Sequence, residues 1–329
     1  MKKEHVIGLC LIVLIAGIVG VALWIHQLDT TQTNTNIGSQ TGRTQNISGE
    51  VAGGQLSYKI IVNVPKQDVP GKITIYKTQT PVVTKVDAIT LAKKFNITNI
   101  GEINEGDPKI SVSSKDMRYS LQLFKTGGMS YSDYKRSDTP NGIDIAENLP
   151  SDDKAIEIAT TFLKERDLLP DGAIVGGVTH GKAYTTSNGK TWVSWEDILV
   201  YYTRELNGMK VEGTQFEIEV GGHGDIIRFF SNWKEYEAIG EYPIKSQESS
   251  TDTLKQNGIT IGTGPDKPDT ISIDEIYLAY DTTAVAYKEN YLEPVWVFKG
   301  EALKNGSAVM PVKEFVPALT DDSVKSLSL

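Results

Sequence analysis

The sequence repeats one order of elements, in which an amphipathic helix is followed by short β-rich runs that tight turns separate. The clearest helix begins at Ser151, and four predicted strands follow it within residues 173–233, with turns at 207–208 and 221–224. Its buried stripe consists of small and apolar residues at helical spacing: Ala155, Ile156, Ala159, Phe162 and Leu163. Because hairpins leave no helical crossovers for a parallel sheet, this order predicts an α+β fold.

Two further units with the same order are predicted on either side. The first has β-rich runs at 58–64 and 72–77, interpreted as a hairpin or meander, and then a helix with the capping-box pattern Thr84-x-x-Asp87. Its apolar stripe is predicted at every third residue: Val86, Ile89, Ala92 and Phe95. The last unit has a helix at 246–257, which Gly258 ends, and strands at 273–280, 295–299 and 312–317.

The N-terminus predicts a membrane anchor. Residues 6–25 are twenty uncharged, mostly apolar residues, about the length of one hydrocarbon core. Lys2 and Lys3 precede this run and no Lys or Arg follows until Arg43, so the N-terminus is expected in the cytoplasm and the rest outside the membrane. The alternative is a signal peptide that is cleaved near Gly20, although the apolar run continues past that point.

This organisation predicts an N-terminal single transmembrane helix followed by repeated helix plus antiparallel-sheet units. The predicted parts are an anchor with a short cytoplasmic tail at 1–27, a flexible polar linker at 28–56, a first α+β domain at 57–147, a second at 148–320 and a tail at 321–329. Whether the second domain divides near residue 243 is left open.

Composition excludes several classes of function. A hydrophobic fraction of 39% and a charged fraction of 23% are ordinary for a globular protein. The net charge of −9 disfavours nucleic-acid binding, which requires a surface that neutralises phosphates. One Cys excludes an intrachain disulfide and a Cys-based zinc cluster.

Three Asn-x-Ser/Thr sequons lie on the predicted outer side of the membrane, at Asn46, Asn96 and Asn305. Such triplets are acceptors for glycosylation where the cell has the machinery. They also occur by chance, and the sequence leaves both readings open.

Motifs for catalysis, metals and cofactors are weak. The Gly-Lys-Thr at 189–191 lacks the preceding Gly and the following helix of a phosphate-binding loop, so it is interpreted as a hairpin turn. His180 and His223 lie beside glycines in predicted turns, without metal-ligand spacing. The pairs Glu217/Glu219 and Asp321/Asp322 are interpreted as solvated faces. No catalytic, metal-binding or cofactor-binding residue is assigned.

Aromatic residues cluster in the predicted strands of the second domain. Strand alternation favours core packing for them, and a groove for a peptide or sugar is the sharper alternative. The residues assigned to this speculative groove are Trp192, Trp195, Tyr202 and Trp233.

A family resemblance is centred on residues 198–233. The pattern Tyr-x-Arg-x-x-Asn-Gly-x-x-Val-x-Gly at 202–213, an alternating strand and a Gly-Asp turn resemble the PepSY type of domain and the propeptide segments of thermolysin-like secreted peptidases. Residues 276–280, 292–298 and 316–318 are similar to the C-terminal part of membrane-anchored accessory regulators of the YycFG two-component system. The resemblance spans about residues 151–319 and supplies no catalytic residue. It implies one anchor followed by an extracytoplasmic α+β region.

These observations lead to one expected function and two alternatives. The expected protein is anchored in the cell membrane through residues 6–25, is not an enzyme, and binds a protein or peptide outside the membrane to regulate a neighbour such as a sensor kinase or a secreted peptidase. The alternatives are an anchored hydrolase that acts on cell-surface polymer and a structural component of the envelope.

Overall fold

The computed structural model describes residues 58–134, 146–187, 190–259, 261 and 267–327, with the backbone alone over 183–187 and 190–195. Over these residues the protein is an α+β fold in which strands predominate, arranged as two eight-stranded sheets. The predicted anchor, linker and Asn46 lie outside the described residues. Within those residues, no helix has the length and apolar character needed to cross a bilayer.

Each of the first three α-helices of the described residues is followed by a run of strands, as the sequence predicts. The strands are β1 (Lys59–Val62), β2 (Lys72–Gln79), β3 (Ile100–Glu105), β4 (Lys109–Ser114), β5 (Tyr119–Phe124), β6 (Met129–Asp133), β7 (Ile174–Ser187), β8 (Lys190–Thr203), β9 (Glu205–Leu206), β10 (Met209–Glu212), β11 (Phe216–Val220), β12 (Ile226–Ser231), β13 (Glu235–Pro243), β14 (Thr270–Asp281), β15 (Tyr291–Lys304) and β16 (Ser307–Pro317). The α-helices of the described residues are α1 (Lys85–Lys94), α2 (Asp152–Glu165), α3 (Gln247–Asn257) and α4 (Asp321–Ser326).

The first sheet joins two helix-plus-strand units. Its strand order is β3-β4-β5-β6-β12-β11-β8-β7, so each unit contributes four antiparallel strands and the two units meet where β6 pairs with β12. Helices α1 and α2 pack against the same hydrophobic core. The sequence boundary at 147/148 therefore separates two units whose strands form one continuous sheet.

A series of aromatic contacts crosses the junction between these units. The ring of Phe95, at the end of α1, stacks on Tyr131 of β6 at 4.6 Å and lies 6.0 Å from Phe229 of β12. Phe229 contacts Phe216 of β11 edge to face at 5.2 Å, and Phe216 contacts Trp233 at 5.6 Å. These side chains bury apolar area from both units, which couples the two halves of the sheet.

The helix caps follow the sequence, but one predicted stripe is wrong. Thr84 and Asp87 form the predicted capping box, and the Ser151 hydroxyl accepts the predicted cap hydrogen bond from Lys154 N–H. In α1, Val86 is 69% exposed, and the buried residues are Ala88, Leu91, Ala92 and, just after the helix, Phe95. Repeated steps of three drift by about 60° each against a 3.6-residue turn, so Val86 and Phe95 lie on opposite faces.

The second sheet is assembled from distant parts of the chain. Its path is β13-β2-β15-β14-β10-β9, with β16 antiparallel to β15 and with β1 and β10 both parallel to β14. The prediction of antiparallel sheets is therefore wrong for this sheet, which is mixed. The predicted hairpin of 58–64 with 72–77 is wrong, because β1 and β2 pair with different strands. Helix α3 contributes Leu254 to the core on this sheet, beside the fully buried Trp296, whose Nε1–H donates to Lys245 O at 2.9 Å.

Within the described residues the chain passes between the sheets four times: between β2 and β3, β8 and β9, β10 and β11, and β12 and β13. Two of these crossings lie together, at Arg204 between β8 and β9 and at residues 232–234 between β12 and β13. A buried ion pair lies at the crossing between β12 and β13: Lys234 Nζ is 3.2 Å from Glu289 Oε2, and the two side chains are 1% and 2% exposed. Glu289 also accepts hydrogen bonds from the hydroxyls of Thr78 and Thr282, both at 2.9 Å. This network joins the crossing to β2 and to the loop that connects β14 with β15.

The crossings at Arg204 and at residues 232–234 contact each other directly. The Arg204 guanidinium donates to Lys234 O and lies 4.7 Å from the Trp233 ring and 4.9 Å from the Tyr236 ring. Guanidinium groups stack well on aromatic faces because they are planar and weakly hydrated. The crossings therefore hold the two sheets together through charge, hydrogen bonds and stacking.

We predict that Lys234→Met destabilises the full-length protein by about 3 to 5 kcal/mol, because it leaves the Glu289 carboxylate buried without its cation. Urea denaturation gives the free energy of unfolding. The control is Lys154→Met, which removes the exposed Lys154–Glu157 pair and should change stability by less than about 1 kcal/mol. Equal effects of the two substitutions would contradict a structural role for the buried pair.

Candidate functional site

Strand β7 forms the outer edge of the second unit in the first sheet. Strand β7 has 14 residues and pairs with β8 on one side and with no other strand among the described residues. At its start, Ile174 and Val175 are 47% and 41% exposed. Register shifts between Val175 and Gly177 and between Ala183 and Tyr184 mark two irregularities, so the longest regular part of the edge lies between Gly177 and Ala183.

Strand β7 lacks the prolines and acidic side chains that block strand addition at other edges of the protein. Prolines, charges and short length protect strand edges from pairing with another chain. Edge strands β3 and β13 carry two and three glutamates, and β16 carries two prolines. Strand β7 contains no proline and no acidic residue. Its one lysine, Lys182, pairs with Glu196 of β8, and the other edge strand without proline or acidic residues, β1, has only four residues. Among the described edge strands, β7 is therefore the longest one without proline or acidic residues.

The face of the first sheet away from the helices is polar. Across neighbouring strands, the register aligns Ser113, Ser120, Ser132, Arg228 and Glu219 in one row. Side chains in register on adjacent strands share a face, so this row runs from small hydroxyl groups to a charged cluster near β8.

Two carboxyl groups lie at the charged end of this row. Asp197 on β8 pairs in register with Gly181 on β7, and Glu219 on β11 pairs with Leu199 on β8, so the two acidic side chains are diagonal neighbours. Asp197 is 1% exposed and Glu219 is 5% exposed. The expectation that Glu219 is solvated is therefore wrong, since the register places it beside Asp197 in a buried position.

The electrostatics of this pair are unusual. Arg228 Nη1 lies 3.5 Å from Glu219 Oε1, whereas neither oxygen of Asp197, nor Glu219 Oε2, has a hydrogen-bond donor of normal geometry. Burial, and next the charge of Glu219, raise the pKa of Asp197 well above its ordinary value, and Arg228 and the Gly181 N–H oppose this rise. Burial also raises the pKa of Glu219 against the effect of Arg228.

Gly181 makes room for the Asp197 carboxyl group. A Cβ atom at residue 181 would lie 2.1 Å from Asp197 Oδ1, well inside van der Waals contact. The side chain of Asp197 therefore occupies the space that any other residue at 181 would fill. Nothing in the local sequence marks Asp197, because its environment depends on the register of three strands.

Two of the four predicted groove residues belong to the core. Tyr202 is 2% exposed and its hydroxyl lies 2.9 Å from Thr160 Oγ1 of α2, and Trp233 is 8% exposed against Phe216. They do not line a surface groove, because α2 and the strand crossing cover them. The side chains of Trp192 and Trp195 lie outside the described residues.

The remaining predicted surface residues are exposed. Asn96 and Asn305 are both exposed, at positive φ angles of 60° and 51°. His223 lies in a turn, as predicted, but His180 lies within β7, where its Nε2 is 2.9 Å from Asp152 Oδ1 of α2. Among the described residues, no three His, Cys, Asp or Glu side chains form a group that could hold a metal ion.

A second charged cluster lies on the second sheet. Glu212 Oε2 is 2.7 Å from Lys313 Nζ, and Glu212 Oε1 accepts a hydrogen bond from the Tyr277 hydroxyl at 2.7 Å and lies 3.1 Å from Lys210 Nζ. Burial would raise the pKa of Glu212, but Lys313, Tyr277 and Lys210 outweigh it and hold the pKa at about 2. All of its oxygens have partners, so this cluster stabilises the fold.

A cleft of about 260 Å³ between β2, β15 and α4 is lined mostly by apolar side chains.

Comparisons with known proteins identify no family. No protein-family model and no curated protein matches the chain. Among solved structures, the chain is similar to an uncharacterized protein from Eubacterium rectale ATCC 33656, whose crystal structure was determined at 1.45 Å resolution. The two are 14% identical with a TM-score of 0.43, over 79% of this chain and 87% of that chain. This similarity is too distant to transfer a fold or a function.

We predict that Gly181→Ala destabilises the protein by about 1 to 3 kcal/mol, because the added methyl group displaces the Asp197 carboxyl group. The control is Gly71→Ala, where the added Cβ would have no atom within 4 Å. Thermal or urea denaturation of both variants measures the effect. If Gly181→Ala is as stable as Gly71→Ala, the close packing of Asp197 against β7 is wrong.

We predict that Glu212→Gln lowers the free energy of unfolding by about 3 kcal/mol at neutral pH, since the folded pKa of about 2 lies below the unfolded value of about 4.3. A lowered carboxyl pKa stabilises the fold above the unfolded pKa, and this contribution is lost as the pH falls through about 2. The difference from the unsubstituted protein should therefore shrink in acid.

Urea denaturation at several pH values from neutral down to about 2 tests the prediction for Glu212. The control is Glu275→Gln, which removes the half-exposed Lys299–Glu275 pair and should cost less than about 1 kcal/mol at any pH. A loss for Glu212→Gln that does not change with pH would contradict the ion-pair explanation.

Proposed function

We propose that this protein is a membrane-tethered binding protein that recognises an extended segment of another protein at the edge of β7. Through this contact it regulates a neighbour outside the membrane, such as a sensor kinase or a secreted peptidase. The observation that carries the proposal is strand β7, whose 14 residues pair only with β8 among the described residues.

Strand addition explains how such an edge would bind. An extended segment that joins a sheet forms backbone hydrogen bonds, which supply affinity, while alternate side chains supply specificity. The exposed Ile174 and Val175 offer apolar contacts beside the edge. Strand β7 contains no proline, so no residue of the strand lacks a backbone N–H, and its one lysine, Lys182, pairs with Glu196 of β8.

The membrane tether supports the regulatory part of the proposal. The apolar run at 6–25 would hold the sheets near membrane proteins, and the polar residues 28–56 would give them reach. The helix followed by four antiparallel strands, as in α2 with β7, β8, β11 and β12, supports the proposed PepSY resemblance.

Site-specific crosslinking of the full-length protein in cells identifies the partner. A photo-reactive amino acid replaces the exposed His180 of β7 in one strain and the exposed Val309 of the proline-containing strand β16 in another. We expect one defined membrane or secreted protein to crosslink at residue 180 and not at residue 309. The same products at both positions, or only bulk envelope proteins, would contradict the proposal.

A binding measurement then tests the edge itself. A peptide that contains the crosslinked segment is titrated calorimetrically into the purified protein and into two variants of matched residue type and exposure. Val175→Asp should weaken binding by about tenfold or more, because it places a charge beside the edge. Val309→Asp, at 39% exposure against 41% for Val175, should leave affinity unchanged. Equal effects would rule out recognition at β7.

A further inference from the structure

The β7–β8 hairpin is attached to the first sheet by a short line of backbone pairing. Strands β7 and β8 pair along their whole lengths, from Ile174↔Thr203 to Ser187↔Lys190. Strand β8 pairs with β11 only from Glu217↔Tyr201 to Val220↔Ile198. Asp197 immediately precedes Ile198 in the chain, so it is the first residue of β8 beyond this pairing. The buried carboxyl pair therefore lies where the hairpin leaves the rest of the sheet.

The charges at this point do not balance when both acids are ionised. Asp197 and Glu219 would carry two negative charges against the single positive charge of Arg228, which contacts Glu219 from β12. A buried, unpaired carboxylate is costly because the protein interior solvates it poorly. The neighbouring Lys182 and Glu196 do not supply the missing charge, because they pair with each other at 3.1 Å.

A missing positive charge and the oxygens of the pair that accept no hydrogen bond can be explained together. Neither oxygen of Asp197 accepts a hydrogen bond of normal geometry, and neither does Glu219 Oε2. A proton on one carboxyl group turns it into a donor to the other, so a single proton provides both the missing charge and the missing hydrogen bond. Two carboxyl groups that share one proton titrate as a unit.

We propose that Asp197 and Glu219 share one proton at neutral pH and that this proton fastens the β7–β8 hairpin to β11. Loss of the proton places two carboxylates side by side at the attachment point, and the hairpin opens more often. The hairpin is therefore pH-sensitive: it stays closed in mild acid and opens more often in alkali. The inference does not depend on what β7 binds.

The sign of the pH dependence follows from linkage. In an opened hairpin Asp197 is solvated and has the pKa of an ordinary exposed aspartate, whereas burial beside Glu219 raises its pKa in the closed pair, which therefore keeps its proton to higher pH. Opening therefore releases a proton, and the opening equilibrium constant rises about tenfold per pH unit until the closed pair also loses its proton. The charged groups that face the pair are Arg228 from β12 and Glu217 on β11, and on the other face of the sheet Asp152 of α2 contacts His180 of β7.

Hydrogen exchange of the full-length protein measures this opening. Exchange rates of amides in β7 and β8 are compared between the unsubstituted protein and Asp197→Asn at the same pH, which cancels the intrinsic pH dependence of exchange. Asparagine donates permanently to Glu219, so the ratio of rates should rise about tenfold per pH unit above mild acid. Amides in β4 and β5 should keep a constant ratio.

A matched control and a direct readout complete the test. Glu217→Gln removes an acid from the same face of β11 and should retain the pH dependence of the unsubstituted protein. Infrared spectra at neutral pH should show a protonated carboxyl band that Asp197→Asn and Glu219→Gln both remove. If Asp197→Asn does not fold, Glu219→Gln and the infrared band carry the test.

Two results would overturn the proposal. The first is the absence of a protonated carboxyl band at neutral pH, together with the same pH dependence of hairpin exchange in Asp197→Asn as in the unsubstituted protein. The second is slower hairpin exchange on addition of calcium that a chelator reverses, which would assign the pair to a cation instead of a proton.

Discussion

The ion pair between Lys234 and Glu289 is the interaction on which the arrangement of the two sheets depends. It lies where the chain leaves β12 in the first sheet for β13 in the second, and the Arg204 guanidinium at the crossing between β8 and β9 donates to the Lys234 carbonyl. Glu289 also accepts hydrogen bonds from Thr78 of β2 and from Thr282 in the loop after β14. Because its charges are buried and mutually satisfied, the cluster favours one relative position of the sheets over others that hydrophobic contact alone would allow.

The second unit of the first sheet departs from ordinary sheet design at two places that lie on one hairpin. Strand β7 forms an edge without the proline or acidic side chains that often prevent strand addition. The buried pair Asp197 and Glu219 lies beside it, where β8 meets β11. In the first unit, the equivalent outer strand β3 carries Glu102 and Glu105. Local departures from stabilising design tend to accumulate where a protein functions. The contrast between the units therefore directs attention to the β7–β8 hairpin.

Local chemistry made much of the secondary structure predictable. The caps at Thr84 and Ser151 form as expected, since a short polar side chain can satisfy free backbone N–H groups at a helix start. Asn207 and Gly208 form the expected two-residue turn with positive φ angles of 49° and 72°. The α2 stripe was correct and the α1 stripe was not, because steps of three do not keep residues on one face.

The amino-acid sequence by itself determined the helix starts, the turns, the strand alternation and the α+β class, because these depend on backbone and side-chain preferences within a few residues. Only the tertiary structure decided which strands become neighbours. It separated β1 from β2, joined both units in one sheet, and brought Asp197 beside Glu219. Such pairings are set by burial and charge compensation between residues that are far apart in the chain, and no local pattern encodes them. The candidate site was therefore invisible in the sequence, whereas the strands that build it were not.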